Sequence, residues 1–214
     1  MLAQLAALLL AQADPVSPLP LAPRPVLSLL GGEQLGVGDS LAAGQAGYAT
    51  VSAAYAQGLG QADVGAELSL AWTTGEVTAA GLGRRTLWRS GTWSLGLRAR
   101  AGLYLALGPS FGRYAHRGDT GLLLAPGLAL STAAGAAQVG FGLDLPMAVT
   151  FRRGGGTWIS PVLSATVEVP LAGDLSAGAR LSVARRWDSG GAPGALRSAD
   201  NLGELLLLVA YRIL

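Results

Sequence analysis

Residues 139–151, VGFGLDLPMAVTF, alternate large apolar side chains with small or polar ones. Every second position is apolar, in the order Val139, Phe141, Leu143, Leu145, Met147, Val149 and Phe151. The positions between them include Gly140, Gly142, Asp144 and Thr150. A period of two residues is typical of a β-strand that has one apolar face and one polar face. The stretch therefore predicts such a strand.

The same alternation recurs along the chain. It is clear in 64–73, 92–105, 158–169 and 175–187, and weaker in 46–57, 76–88, 121–131 and 204–214. Short connections (58–61, 89–91, 132–135 and 172–174) separate these segments, together with long ones (106–120 and 188–203). Short turns on one side and long loops on the other are typical of a transmembrane barrel with an even number of strands. The parity of the connections then requires a further strand, which we predict at 25–34 with 35–45 as its outer loop.

The predicted fold is all-β: a closed antiparallel up-and-down transmembrane β-barrel of ten strands. Eight strands are the alternative, if weaker segments are loops or the first one is a plug. Half of the residues are hydrophobic and 13% are charged, against about 25% charged in an average soluble domain. After the first 13 residues, no apolar run approaches the length of a membrane-spanning helix, which is about 20 residues. A closed barrel is the other architecture that satisfies its backbone in lipid.

The N-terminal region differs in composition from the rest. Residues 1–13, MLAQLAALLLAQA, carry an apolar run and end in Ala11-Gln12-Ala13, a small-x-small cleavage pattern. This predicts a signal peptide at 1–13, with a short amphipathic or buried helix as the alternative. Residues 14–24 form a Pro-rich leader, which can be neither helix nor central strand. The barrel domain is predicted at 25–214.

Six charged residues fall on the polar parity of the predicted strands and form a predicted lumen charge cluster. They are Glu67, Arg98, Arg100, Asp144, Glu168 and Arg180. In a narrow barrel these side chains either pair in a filled interior or line a narrow pore for small solutes. Seven aromatic residues near predicted strand ends form a predicted girdle at the membrane interfaces. They are Trp72, Trp93, Tyr104, Phe151, Trp158, Trp187 and Tyr211.

In the final segment, residues 205–214 (LLLLVAYRIL), alternate positions form one face of the predicted strand. They are Leu205, Leu207, Val209, Tyr211 and Ile213. It resembles the C-terminal strand of small bacterial outer-membrane β-barrel proteins, although the terminal Phe is absent and the register is shifted by one. The resemblance implies a porin-like protein of the cell envelope, in the outer membrane of a Gram-negative-type bacterium. It also implies contact with outer-membrane lipid and lipopolysaccharide, and recognition of the last strand by the barrel-insertion machinery.

Four functions fit the sequence. A structural or surface-interaction barrel comes first, followed by the narrow pore, a soluble lipocalin-like carrier and a barrel-embedded lipid-modifying enzyme. In the carrier the apolar faces would point inward. The low charge of the polar faces and the aromatic residues at strand ends favour the membrane barrel over the carrier.

Catalysis has little support in the sequence. The string Gly38-Asp39-Ser40-Leu41 matches the nucleophile motif of the GDSL hydrolases, but a serine nucleophile needs a base and an oxyanion hole. The single histidine, His116, and the single asparagine, Asn201, stand in no matching context. With no cysteine, and with arginines that lack an interleaved aromatic platform, the chain is predicted to have no catalytic or metal-binding residue, no cofactor and no nucleic-acid partner.

Overall fold

The computed structural model describes residues 28–48, 50–72, 75–107, 120–151, 156–188 and 197–213, and they form twelve β-strands. The predicted signal peptide and leader lie outside these ranges. The strands are β1 (Ser40–Tyr48), β2 (Thr50–Gly58), β3 (Asp63–Ala71), β4 (Glu76–Ser90), β5 (Trp93–Ala106), β6 (Thr120–Ala134), β7 (Ala137–Asp144), β8 (Met147–Thr150), β9 (Thr157–Ile159), β10 (Val162–Ala172), β11 (Leu175–Asp188) and β12 (Arg197–Ile213).

The strands close into a barrel. Each strand pairs antiparallel with its neighbours, and β1 closes the ring by pairing with β12, from Ser40 opposite Ile213 to Tyr48 opposite Leu205. Strands β7 and β8 both pair with β6, and β9 and β10 both pair with β11, so each couple fills one position in the ring. The predicted closed antiparallel barrel of ten strands is therefore confirmed.

Prolines account for the two interruptions. Pro146 separates β7 from β8, and Pro161 separates β9 from β10. Proline has no N–H to give to a ladder. Backbone hydrogen bonds continue around the breaks, from Leu145 N to Pro126 O at 2.8 Å and from Ser160 N to Pro146 O at 2.8 Å. The pair β7 and β8, and likewise the pair β9 and β10, therefore each occupy the place of one continuous strand in the barrel.

The first strand was predicted in the wrong place. The described part of 25–34 is not a strand and lies within the barrel, whereas the predicted outer loop 35–45 contains the start of β1. The predicted strand 46–57 falls on two strands, because β1 and β2 pair antiparallel with Ala46 opposite Val51. The number of strands in the barrel is still ten, because β1 and β2 take the places of the predicted strands 25–34 and 46–57.

The two barrel ends differ in their connections. At one end, called the turn end here, the strands are joined by 59–62, 91–92, 135–136 and 173–174. Each of these turns contains a glycine in the left-handed region: Gly60, Gly91, Gly135 and Gly173, with φ between 54° and 88°. The opposite end, called the loop end, carries the connection between β5 and β6, residues 107–119. Within the described ranges, there is no helix long and apolar enough to cross a membrane.

Candidate functional site: the plugged lumen

Residues 28–35, the plug segment, lie inside the barrel near the turn end. Their backbone groups bind side chains of the wall and do not join the sheet. Gly32 N donates to Ser131 Oγ at 3.0 Å and Leu35 N donates to Asp63 Oδ1 at 2.9 Å. Since buried backbone donors must find partners, the wall has to supply them. The plug segment is therefore anchored by polar side chains from several strands.

Charged residues of the wall extend these anchors. Arg84 donates to Ser28 O at 2.9 Å and Arg98 donates to Leu30 O at 3.3 Å. Ser28 Oγ donates to Glu168 Oε1 at 2.8 Å. Arg84, Arg98 and Glu168 thus hold the plug segment. Hydrogen bonds to charged groups are stronger than those between neutral groups.

Apolar side chains hold the other side of the plug segment. Leu35 is buried in a cluster with Leu41, Ala43, Ala56, Leu208 and Ala210, against which Leu29 and Leu30 pack. This cluster belongs to β12, β1 and β2. The lumen consequently has an apolar wall on these three strands and a charged wall on β3 to β5, β7, β10 and β11.

The plug segment approaches the wall most closely at Gly32. A Cβ on this residue would lie 2.5 Å from both Ala129 O and Ser94 O, and these are backbone atoms of β6 and β5. Gly96 faces it, and a Cβ there would lie 2.6 Å from Gly32 O. Only glycine fits at such a contact.

Ion pairs fill the charged wall. Arg98 holds Asp144 with two hydrogen bonds, from Nε at 2.7 Å and from NH2 at 2.6 Å. Arg100 NH1 lies 3.2 Å from Glu67 Oε1, and Arg180 NH2 lies 3.7 Å from Asp144 Oδ2. The structure thus places these five residues of the predicted cluster together, and it places Glu168 beneath them at Ser28.

The predicted cluster leaves out further interior charges: Asp63, Glu76, Arg84, Arg186 and Glu204. Arg84 NH2 lies 2.6 Å from Asp63 Oδ2, and Arg186 NH1 lies 2.8 Å from Glu76 Oε1. The signal that could have found Asp63 is its parity with Glu67, since β3 begins one residue before the predicted strand. Arg84 likewise shares the inward parity of β4 with Glu76.

Two residues of the predicted aromatic girdle point into the lumen instead. Tyr104 is 3% exposed, and its ring centroid lies 6.1 Å from that of Trp158 in an edge-to-face arrangement. Both pack with Leu123 and Ala148. Both occupy inward-facing positions, as the interior charges do. A place near the end of a strand was therefore not enough to assign them to the girdle.

The other girdle residues are not buried in the lumen. Trp72, Trp93, Phe151 and Tyr211 are exposed large side chains on the outer face. Trp187 is half-buried, with the guanidinium of Arg185 5.7 Å from the centre of its ring.

A cavity of about 250 Å³ lies above the plug segment. Leu29 and Leu30 border it on the plug side, and Leu206 and Leu208 on the apolar wall. The charged wall contributes four acids and four arginines to the cavity, and the cavity also meets Glu204; the eight are Asp63, Glu67, Glu76, Asp144, Arg84, Arg98, Arg100 and Arg180. The lumen is therefore an amphipathic chamber with one end closed by the plug segment.

The residues of the GDSL-like string form no catalytic group with the described chain. Ser40 Oγ accepts a hydrogen bond from Tyr55 OH at 2.9 Å, and Ser40 itself is buried at the start of β1. His116 lies outside the described residues, as does the side chain of Asn201. Within the described ranges, no group of three or more acidic or histidine side chains could hold a metal ion.

No protein-family model matches the chain, and no curated protein does. A barrel fold by itself hosts many unrelated functions. Function therefore has to be inferred from the site.

Proposed function

We propose that this chain is an outer-membrane β-barrel protein with a closed, side-chain-filled lumen and a structural or surface-interaction role. The observation that carries the proposal is the orientation of the strands. Apolar residues on all sides of the barrel have more than half of their surface exposed, including Leu68, Leu122, Phe141, Leu163 and Leu207. The charged side chains of the same strands point inward. Lipid is the surroundings that such an outer face fits.

A soluble carrier barrel would need the opposite orientation. Its apolar faces would enclose a ligand and its polar faces would meet water. Soluble monomers rarely expose apolar patches beyond a few hundred Å², whereas the outer face here carries leucine or valine on β3, β6, β7, β10 and β12. This arrangement favours the membrane barrel over the carrier.

The exposed aromatic residues are consistent with two membrane interfaces. Trp93 and Tyr211 lie on the outer face near the turn end, and Trp72 and Phe151 lie on it near the loop end. Aromatic girdles at both interfaces are typical of outer-membrane barrels. By the same comparison, the turn end faces the periplasm and the loop end faces outward in our proposal. The predicted signal peptide, insertion machinery and lipopolysaccharide contacts belong to this proposal.

A closed barrel is favoured over an open pore. The plug segment fills the turn end, and the ion pairs of Arg98, Arg100 and Arg84 line the lumen beside it. An ion that passed through would have to displace buried, hydrogen-bonded charges, which is costly. We therefore expect purified, folded protein to show no discrete conductance steps in planar bilayers.

Fractionation tests the location. After expression of the full chain in a Gram-negative host, we expect it in the outer-membrane fraction, with a gel mobility in detergent that changes on heating because a folded barrel resists the detergent. A cytoplasmic protein and a known outer-membrane protein serve as fractionation markers. Recovery in the soluble fraction without heat-modifiable mobility would overturn the proposal.

A further inference from the structure

Arg180 has less pairing than the other interior arginines. Its NH2 lies 3.7 Å from Asp144 Oδ2, but Asp144 is already held by two hydrogen bonds from Arg98. Within the described chain, Arg180 Nε has no hydrogen-bond partner. The side chain is 12% exposed and borders the cavity. A buried cation with so weak a partner favours an anionic group beside it.

Glu204 is the complementary case. Its carboxylate accepts hydrogen bonds from Thr50 Oγ1 at 2.7 Å and Ser182 Oγ at 3.1 Å, and it also borders the cavity. Among the residues that the structure describes, no arginine forms an ion pair with it. The cavity therefore offers one negative charge that a bound cation could neutralise.

The register places these two charges side by side. Arg180 lies opposite Leu206, and Ser182 lies opposite Glu204. Arg180 and Glu204 are thus diagonal neighbours on the inner face, about 7–8 Å apart at the backbone. The inner face therefore presents one positive and one negative side chain close together at the cavity.

The rest of the cavity is apolar on the same side. Leu206 and Leu208 follow Glu204 along β12, and Leu30 of the plug segment packs against the apolar cluster that contains Leu208. The volume of about 250 Å³ is below the roughly 300–1,000 Å³ of pockets for drug-sized ligands. An occupant must therefore be small, with its charged end at β11 and β12 and an apolar end toward the plug segment.

We propose that the cavity is a binding site for a small zwitterion of the amino-acid class, with its carboxylate on Arg180, its ammonium group on Glu204 and an apolar side chain against Leu206 and Leu208. The site goes beyond a structural role for the barrel. It also stands independently of the membrane, because it is built from the interior of the barrel alone.

Calorimetric titration of the purified full chain, folded in detergent, tests the site with three probes. Leucine carries both charges, 4-methylpentanoate lacks the ammonium group and isopentylamine lacks the carboxylate. We expect leucine to bind, and each analogue to bind at least about thirtyfold more weakly, since one buried charge is then left without its partner. Absence of leucine binding, or equal binding of either analogue, would overturn the proposal.

Two variants and a control assign the contacts. Arg180→Gln and Glu204→Gln should each weaken leucine binding by a similar factor. Arg185→Gln removes an exposed arginine on the outer face of β11 that does not border the cavity, so leucine affinity should not change. Heat-modifiable mobility shows which variants fold, and the probe series on the wild-type chain decides the question if one does not. Unchanged affinity in both folded variants would contradict the assignment.

Discussion

At the scale of single residues, Asp144 organises the charged wall. It accepts two hydrogen bonds from Arg98 and lies near Arg180, and its side chain is 6% exposed. Glycines make room for these groups. A Cβ on Gly127 would overlap the carboxylate of Asp144, and one on Gly142 would overlap the guanidinium of Arg98. The glycines of β6 and β7 therefore contribute to the ion pair by lacking a side chain.

We expect Asp144→Asn to destabilise the barrel strongly. The substitution leaves the charges of Arg98 and Arg180 buried without their shared carboxylate, and breaking a buried pair in this way costs about 3–5 kcal/mol. The free energy of unfolding in denaturant, measured on detergent-folded protein, checks the value. Asp174→Asn is the control, because Asp174 is an exposed turn residue, and it should leave stability unchanged. Equal stability of both variants would show that the pair contributes nothing.

The two-residue alternation of the strands predicted most of the interior charges. Where it failed, the reasons are physical. The six predicted charges all lie on strands with strong alternation, where the position of the apolar residues also determines which residues face inward. Glu204 was missed because it precedes the run of leucines in β12, whose first residues show no alternation. Tyr104 and Trp158 were misplaced because aromatic residues at strand ends fit either face, and the packing of one against the other is invisible in the sequence.

At the scale of elements, the plug segment shows where strand prediction stops. Its leucines suggested a strand, but its backbone donors bind Ser131, Thr86 and Asp63. Sequence pattern cannot reveal hydrogen bonds to residues so distant along the chain. Strand β1 was hidden for a different reason: its outward residues Ala42, Gly44 and Ala46 are small, so the apolar and polar faces hardly differ.

The fit of the plug segment makes Gly32→Ala a test of the closed lumen. The added methyl group would lie 2.5 Å from two backbone carbonyls, neither of which can move alone. Such overpacking costs about 1–3 kcal/mol, and we expect it to displace the segment. The measurable results are lower stability and discrete conductance steps in planar bilayers, which the wild-type chain should lack.

Gly31→Ala is the matched control for this experiment. Its Cβ would meet the side-chain amide of Gln138 at 3.0 Å and the hydroxyl of Ser131 at 3.3 Å, and the amide can shift. Conductance and stability should remain those of the wild-type chain. If Gly32→Ala behaves like Gly31→Ala, the segment does not seal the lumen. Channel steps in the wild-type chain would contradict the closed barrel itself.

At the scale of the whole molecule, substitutions on the outer face test whether lipid or water surrounds the barrel. Leu143 lies at mid-height on the outer face of β7, and Leu171 lies on β10 next to the turn at 173–174. In a bilayer, Leu143→Arg places a charge near the midplane and should cost about 2–4 kcal/mol, whereas Leu171→Arg lies near the interface and should cost about 0–1 kcal/mol. In a water-exposed barrel both substitutions would change stability by less than about 0.5 kcal/mol.

Unfolding from lipid vesicles by guanidinium measures the difference in stability between the two variants. Because both leucines are outward-facing, a clear gap between the two variants requires a depth-dependent apolar environment, and equal values would count against the membrane.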